Sequence, residues 1–258
     1  MTAVLLAFRD RLFSVCIWIG VGFLTLVFGG SIPLLNWLIA RWDPSQYFPH
    51  WMGQRWARSI VSLNPLWQMK VRGREHLDPH KPYILVSNHQ SMGDIIAVYH
   101  LGVHFKWISK ESNFKVPIMG PAMRLAGYIS VRRGDRQSGH QALVLAGEWL
   151  RRGVSVFFFA EGTRSEDGHL REFKPGAFKL ALETGFPILP IAINGCRDVL
   201  PKRSWIFGNK AEMAVAIGEP VEVEGRSMED LEELTTFVRA RIYGLLAELE
   251  RPDQAKAA

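Results

Sequence analysis

The chain of 258 residues contains only two cysteines, Cys16 and Cys196. They form no metal or redox spacing, and Cys16 sits in an apolar run. A disulfide framework, a zinc knuckle and a paired-thiol redox centre are therefore excluded, and a reducing compartment is expected. No Gly-x-Ser-x-Gly elbow occurs, which removes the usual signature of a serine hydrolase. Helix-turn-helix, RNP-like and zinc-finger patterns are missing too, as are internal repeats. The net charge of +6 is scattered along the chain. It suits anionic partners such as a phospholipid surface or a phosphorylated substrate, and argues against nucleic acid.

Charge itself is missing from Leu12 to Ala40, between Arg11 and Arg41. A run of that length is enough to enter a bilayer. Gly29-Gly30-Ser31-Ile32-Pro33 is expected to break it. Basic residues at both ends fit a hairpin that enters and leaves on the cytoplasmic side. Phe48, Trp51, Met52, Trp56 and Ile60 follow near helical spacing with Arg55 and Arg58, which reads as an interfacial amphipathic helix. Trp18, Trp37, Trp42, Trp51, Trp56 and Trp67, of nine tryptophans, crowd this region, and tryptophan favours membrane interfaces. A cleaved signal peptide fits less well. The run is too long for an h-region, and no small-residue cleavage site follows Ala40.

From about Lys70 the pattern alternates between strands and helices. Strands are expected at Tyr83–Ser87, Phe105–Ser109, Tyr128–Val131, Val154–Phe159, Ile188–Asn194 and Met213–Ile217. Helices are expected at Gln141–Arg152 and Ala177–Glu183. The fold class is α/β, with a largely parallel central sheet flanked by helices and an N-terminal membrane-associated helical segment. A capping box at Ser227-Met228-Glu229-Asp230 opens a closing amphipathic helix, and Pro252–Ala258 reads as a frayed tail. The expected divisions are a membrane-inserted or interfacial segment (1–66), a catalytic domain (67–225) and a C-terminal helix with its tail (226–258).

The stretch Ser87-Asn88-His89-Gln90-Ser91-Met92-Gly93-Asp94 follows a buried strand and places a histidine and a carboxylate five residues apart. A histidine held by a carboxylate can take a proton from a hydroxyl near neutral pH. With no side-chain nucleophile recognisable beside it, the chemistry suggested is direct attack by a substrate hydroxyl. Ser91-Met92-Gly93-Asp94 equally fits a capping box that opens a helix, and spacing by itself does not separate the two readings. A second motif, Ala160-Glu161-Gly162-Thr163-Arg164-Ser165, leaves the end of the strand Val154–Phe159. Ligands of α/β proteins gather at such ends, and glycine N–H groups with an arginine can hold a phosphate.

These two blocks resemble the glycerolipid acyltransferase family, and within it the bacterial 1-acyl-glycerol-3-phosphate acyltransferases. Lys110-Glu111-Ser112 through Pro117 and Gly120, then Gly127 to Arg133, resemble the family's second block. Phe186-Pro187-Ile188-Leu189-Pro190-Ile191 resembles the fourth, and Phe173 to Phe178 also has a counterpart. The likeness covers about residues 70 to 220. It implies His89 as general base and Asp94 as its orienting carboxylate. It associates Arg133, Glu161 and Gly162 with the glycerol-phosphate headgroup, Lys110 and Arg164 with phosphate contact, and Pro190 with the acyl-donor side. Three departures stand out: Arg132 where an acidic residue is common, Ala160 in place of proline, and Pro175 in place of a basic residue. Arg132 would add a cation beside the headgroup and so admit an acceptor other than lysophosphatidate.

The resemblance implies transfer of an acyl chain from acyl-carrier protein or acyl-coenzyme A to the sn-2 hydroxyl of 1-acyl-glycerol-3-phosphate, giving phosphatidic acid in phospholipid synthesis. No cofactor or metal is called for, because the thioester co-substrate is already activated. The implied partners are the lipid bilayer, a lysophospholipid acceptor and the carrier. The implied location is the cytoplasmic face of a bacterial inner membrane. Lyso-ornithine lipid is the rival acceptor. A lipid hydrolase or a non-catalytic membrane-surface module are the readings from other classes.

Overall fold

The computed structural model describes residues 2–165, 168–201 and 203–250; Pro252–Ala258 lie outside them. The apolar run is a single helical rod. Helix α1 (Thr2–Leu24) passes through a π-helical turn (Thr25–Gly29) into α2 (Gly30–Ile39), with Leu24, Gly29 and Gly30 all in right-handed helical geometry. The break expected at Gly29–Pro33 does not occur. Pro33 would press its ring on the carbonyl four residues back, which belongs to Gly29. The π turn ends at Gly29, and its wider winding relieves that contact.

The rod keeps its large apolar side chains outward: Phe8, Leu12, Ile19, Phe23, Leu26, Leu34 and Trp37 are exposed. From Leu5 to Trp42 it is long and apolar enough to cross a membrane, and only 11% of its most apolar stretch is buried, unlike the core helix of a soluble domain. Its first half is strapped to the rest of the protein. Phe207 N donates to Ser14 Oγ (2.9 Å), Trp18 Nε1 to Trp205 O (2.9 Å) and Asn209 Nδ2 to Asp10 Oδ1 (2.9 Å).

The chain reverses at Asp43–Gln46, where the Asp43 carboxylate accepts from Tyr47 N and Phe48 N (2.8 and 2.7 Å) and so caps α3 (Tyr47–Val61). Helix α3 runs back antiparallel to the rod. Trp56 Nε1 donates to Thr25 Oγ1 (3.0 Å), and Leu63 beyond it packs on Gly20. Of the stripe that reads as interfacial, Met52 and Ile60 are buried and Phe48, Trp51 and Trp56 are half-buried, while Arg55 and Arg58 face solvent.

Beyond α3 come β1 (Trp67–Arg72), β2 (Ile84–Ser87), α4 (Gly93–Tyr99), β3 (Phe105–Lys110), α5 (Met119–Leu125), β4 (Ile129–Val131) and α6 (Arg136–Arg151). Then follow β5 (Ser155–Phe159), α7 (Gly176–Thr184), β6 (Ile188–Asn194), α8 (Cys196–Val199), β7 (Ala211–Ile217) and α9 (Leu231–Glu250). The seven strands lie in the order β1-β7-β6-β2-β5-β3-β4. Every pair is parallel except β6 with β7. Strand β1 is an addition to the sequence reading. Its alternation of Trp67, Met69 and Val71 with Gln68, Lys70 and Arg72 was the available signal, and it pairs with β7 far along the chain.

Helices cover both faces of the sheet, which explains the unbroken apolar runs. Leu85, Phe157 and Leu189 point to the side of α3 and α4. Ile84, Val86, Val156 and Ile188 point to the side of α6, α7 and α9. Strand β2 sits centrally between β5 and β6, so the loops leaving their C-terminal ends converge.

A buried polar cluster pins the α2–α3 reversal to this domain. Lys106 is fully buried and donates from Nζ to Ser45 O (2.7 Å), Ala126 O (2.8 Å) and Gln46 O (3.4 Å), with Trp149 4.3 Å away under the ammonium. Burial draws its pKa down to about 7, against the pull of Asp43. Nearby His104 is driven from 6.5 to about 3 by burial and then by the Lys106 charge, with Asp43 opposing. The unfolded chain therefore takes a proton near 6.5 that the folded protein refuses until about 3. Stability from this group is complete above pH 6.5 and declines as pH falls through that window. His50, fully buried and depressed by burial and then by His104, acts in the same sense. Urea unfolding between pH 7 and 4 is expected to show a loss on the order of a few kcal/mol, with a shallower slope in His104→Gln. Identical slopes for the two proteins would clear His104 of responsibility.

Candidate active site

The loop after β2 is held on every side before any substrate arrives. Asn88 imitates a strand residue: its Nδ2 donates to Ile193 O (2.9 Å) and its Oδ1 accepts from Ile193 N (2.8 Å), fastening the loop to β6. His89 N donates to Glu161 Oε1 (2.7 Å), and His89 O accepts from Ser165 N (2.8 Å). The backbone of the histidine is thus gripped by the loop after β5.

His89 Nδ1 lies 2.7 Å from Asp94 Oδ2, and the same oxygen accepts from Gln90 N (2.6 Å) and Ser91 N (2.8 Å). An ionised carboxylate only accepts, so Nδ1 carries a proton, and in the neutral imidazole Nε2 keeps its lone pair. The helix-cap reading holds as well. Ser91 Oγ accepts from Gly93 N (3.1 Å) while Asp94 reaches back to Ser91 N, and Ser91 Oγ also donates to Leu200 O (2.7 Å). One carboxylate oxygen both starts α4 and orients the imidazole. Asp94 is 1% exposed, and its other oxygen is buried with no hydrogen bond. The Cys196 thiol beside it is pushed well above its ordinary range by burial and then by the Asp94 charge, so it stays protonated.

His89 lines a cavity of about 540 Å³ between the apolar rod, α3, α4 and α5. Trp18, Ile32, Met52, Tyr99, Ile118 and Phe207 form its apolar wall, and Lys110 and Arg133 also line it. The Arg133 guanidinium is depressed by burial and then by the charge of Arg164, so these two cations are neighbours.

The remaining expected residues are placed differently. The Glu161 carboxylate is 3% exposed and accepts from the backbone of His89 and of Arg171 (3.2 Å). It braces the loop that carries His89. Burial raises its pKa, with those two amides pulling the other way. Gly162 has a φ of 69° and its N–H returns to Phe159 O (3.0 Å), so it makes the turn that lets Glu161 point inward. Arg132 is drawn to the surface by Glu111 (3.3 Å) and Asp135 (3.2 Å), so the extra headgroup cation expected from it is engaged elsewhere. Pro190 lies inside β6, buried, and is not part of the cavity wall.

Asn88, Ser165 and Phe159 have parts that the sequence reading did not assign. Asn88 and Ser165 lie inside the two motifs, so adjacency was the available clue. Phe159, whose ring stacks on His89 at a centroid distance of 3.8 Å, sits directly before the second motif, so adjacency was the clue there too.

Residues 68–194 match the family model described as Acyltransferase. A chloroplastic 1-acyl-sn-glycerol-3-phosphate acyltransferase of Brassica napus is 38% identical over 175 residues, which is 67% of this chain and 50% of that protein. An uncharacterised acyltransferase of Schizosaccharomyces pombe is 33% identical over 187 residues, 71% of this chain and 67% of that one. The crystal structure of the 1-acyl-sn-glycerophosphate acyltransferase of Thermotoga maritima superposes with a TM-score of 0.82 at 26% identity, covering 96% of this chain and 99% of that one. The chain spans about half the length of the plant relatives it matches.

Proposed function

The chain belongs to the acyltransferase family, and we propose that it transfers an acyl chain from acyl-carrier protein or acyl-coenzyme A to the sn-2 hydroxyl of 1-acyl-glycerol-3-phosphate, releasing phosphatidic acid. The observation that carries this reading is the position of His89. Its imidazole, proton-bearing on the Asp94 side, lines a mostly apolar cavity that Lys110 and Arg133 also line. An acyl chain fits the apolar wall, and a phosphate fits the cations. The pairing of Arg132 with Glu111 and Asp135 at the surface supports an ordinary lysophosphatidate acceptor.

In this mechanism the phosphate rests on Arg133, with Lys110 and Arg164 beside it. His89 Nε2 takes the hydroxyl proton, and Asp94 stabilises the imidazolium. The hydroxyl oxygen bonds to the thioester carbonyl carbon and a tetrahedral oxyanion forms. It collapses as the carbon–sulfur bond breaks, and the thiolate leaves with the proton from His89. Asn88, Glu161 and Gly162 shape and hold the loop that presents Nε2.

The rod and α3, within residues 1–66, serve as the bilayer-inserted segment. Residues 67–225 carry the chemistry, and the helix within 226–258 packs behind the sheet. The site then faces lipid at the cytoplasmic surface of a bacterial inner membrane. The exposed apolar side chains of the rod support this arrangement.

Membranes containing the protein, given labelled acyl-carrier protein or acyl-coenzyme A and a panel of lysolipids, should form labelled phosphatidic acid. Product from lyso-ornithine lipid alone would overturn the acceptor. Arg133→Ala is expected to raise KM for the lysophosphatidate about 10- to 100-fold, as the loss of one charge-assisted contact would. KM for the thioester should stay within about twofold. An equal rise in both would remove Arg133 from the headgroup.

A further inference from the structure

Phe159 is the last residue of β5, and its Cα pairs across the sheet with Ser87, two residues before His89. That register delivers the phenyl ring to the face of the imidazole. The two rings are 3.8 Å apart between centroids and only 13° from parallel. Neutral aromatic pairs avoid close, nearly parallel superposition and settle offset or edge-on with centroids about 4.5–7 Å apart. A cation over a ring face is the opposite case, attracted by the negative face within about 6 Å. The contact therefore suits an imidazolium better than the neutral ring.

We propose that Phe159 is a positioning residue that acts electrostatically on His89, holding the imidazole plane and stabilising the imidazolium formed when the hydroxyl proton is taken. This rests on His89 being the general base. Asp94 restrains the ring at one edge, through Nδ1, and the residual rocking about the Cβ–Cγ bond carries the ring toward or away from the phenyl face. Phe159 blocks the rotation from the face. It cannot slide away, because Trp107 stacks behind it (5.5 Å, 26°) and Phe157 meets it edge-on (5.1 Å, 70°). The need for such a partner is visible in the cavity. Lys110 and Arg133 line it with His89 and oppose the appearance of a third positive charge. The phenyl face offsets that repulsion without offering a carboxylate that would compete for the substrate proton.

The test separates shape from face charge. Phe159→Leu keeps bulk and loses the face. Pentafluorophenylalanine at 159 keeps the shape and reverses the sign of the face. Both should lower kcat by about tenfold or more, as expected for a partly desolvated cation over an aromatic face, with KM for acceptor and donor within about twofold. Phe159→Tyr should recover most of kcat. A pentafluorophenyl variant with full kcat, or losses confined to KM, overturns the proposal. Should the leucine variant misfold, the near-isosteric pentafluorophenyl variant still decides. His89→Ala is assayed alongside. Activity surviving in it defeats the general-base reading itself, whereas an inactive His89→Ala beside a fully active pentafluorophenyl variant defeats only the role of Phe159.

Discussion

His89→Ala is expected to lower turnover by about 10³-fold, the scale of a lost general base, while the protein remains folded. Among the described residues the side chain makes one hydrogen bond, to Asp94. Its loss leaves Asp94 Oδ2 still occupied by Gln90 N and Ser91 N. The main-chain bonds to Glu161 and Ser165 are available to any residue at 89. The side chain already borders the cavity, so its removal enlarges an open space instead of creating a closed one. The stability cost should be about 1–2 kcal/mol. Steady-state kinetics with lysophosphatidate and a thioester donor, together with a urea titration, measure both quantities. Turnover within about tenfold of the parent would end the proposed mechanism.

Asp94→Asn should separate catalysis from stability more sharply. The carboxamide keeps one acceptor oxygen for the Gln90 and Ser91 amides, and its NH₂ takes the buried place of Oδ1 beside the Cys196 thiol. Charge-assisted bonds become neutral ones, at a cost of about 1–2 kcal/mol. The imidazolium, however, loses the only carboxylate bonded to it among the described residues. A drop in kcat of about 10²- to 10³-fold is expected, roughly 3–4 kcal/mol of barrier. A variant as destabilised as it is slowed would reduce Asp94 to a helix cap. The parent's own geometry makes this informative, since a single oxygen carries both duties.

The parts legible in the sequence were those written within a few residues. His89 and Asp94 are five apart, and the cap that starts α4 is the same short stretch. The apolar runs of β2, β5 and β6 betray strands covered on both faces, and the uncharged run before Arg41 betrays a helix bound for lipid. Local rules failed where neighbours outweighed them. The glycines and proline at 29–33 looked like a break, and the π turn absorbed them. The stripe on α3 looked interfacial, and the protein buries Met52 and Ile60 of it.

By itself, then, the sequence determined the fold class and the long apolar helix, because each is a periodicity that neighbouring backbone geometry enforces; for His89 and Asp94 the spacing left two readings, and the family-like blocks favoured the catalytic one. Only the tertiary structure decided what Glu161 grips, where Arg132 turns and which ring lies on His89. The contacts of Glu161 and Phe159 arise from pairing β2 with β5, which sets residues 72 apart in sequence at 2.7 Å, and that of Arg132 with Glu111 from pairing β3 with β4. Strand pairing depends on how the whole core closes, and no local pattern in the chain specifies which distant side chain the pleat will bring to the site.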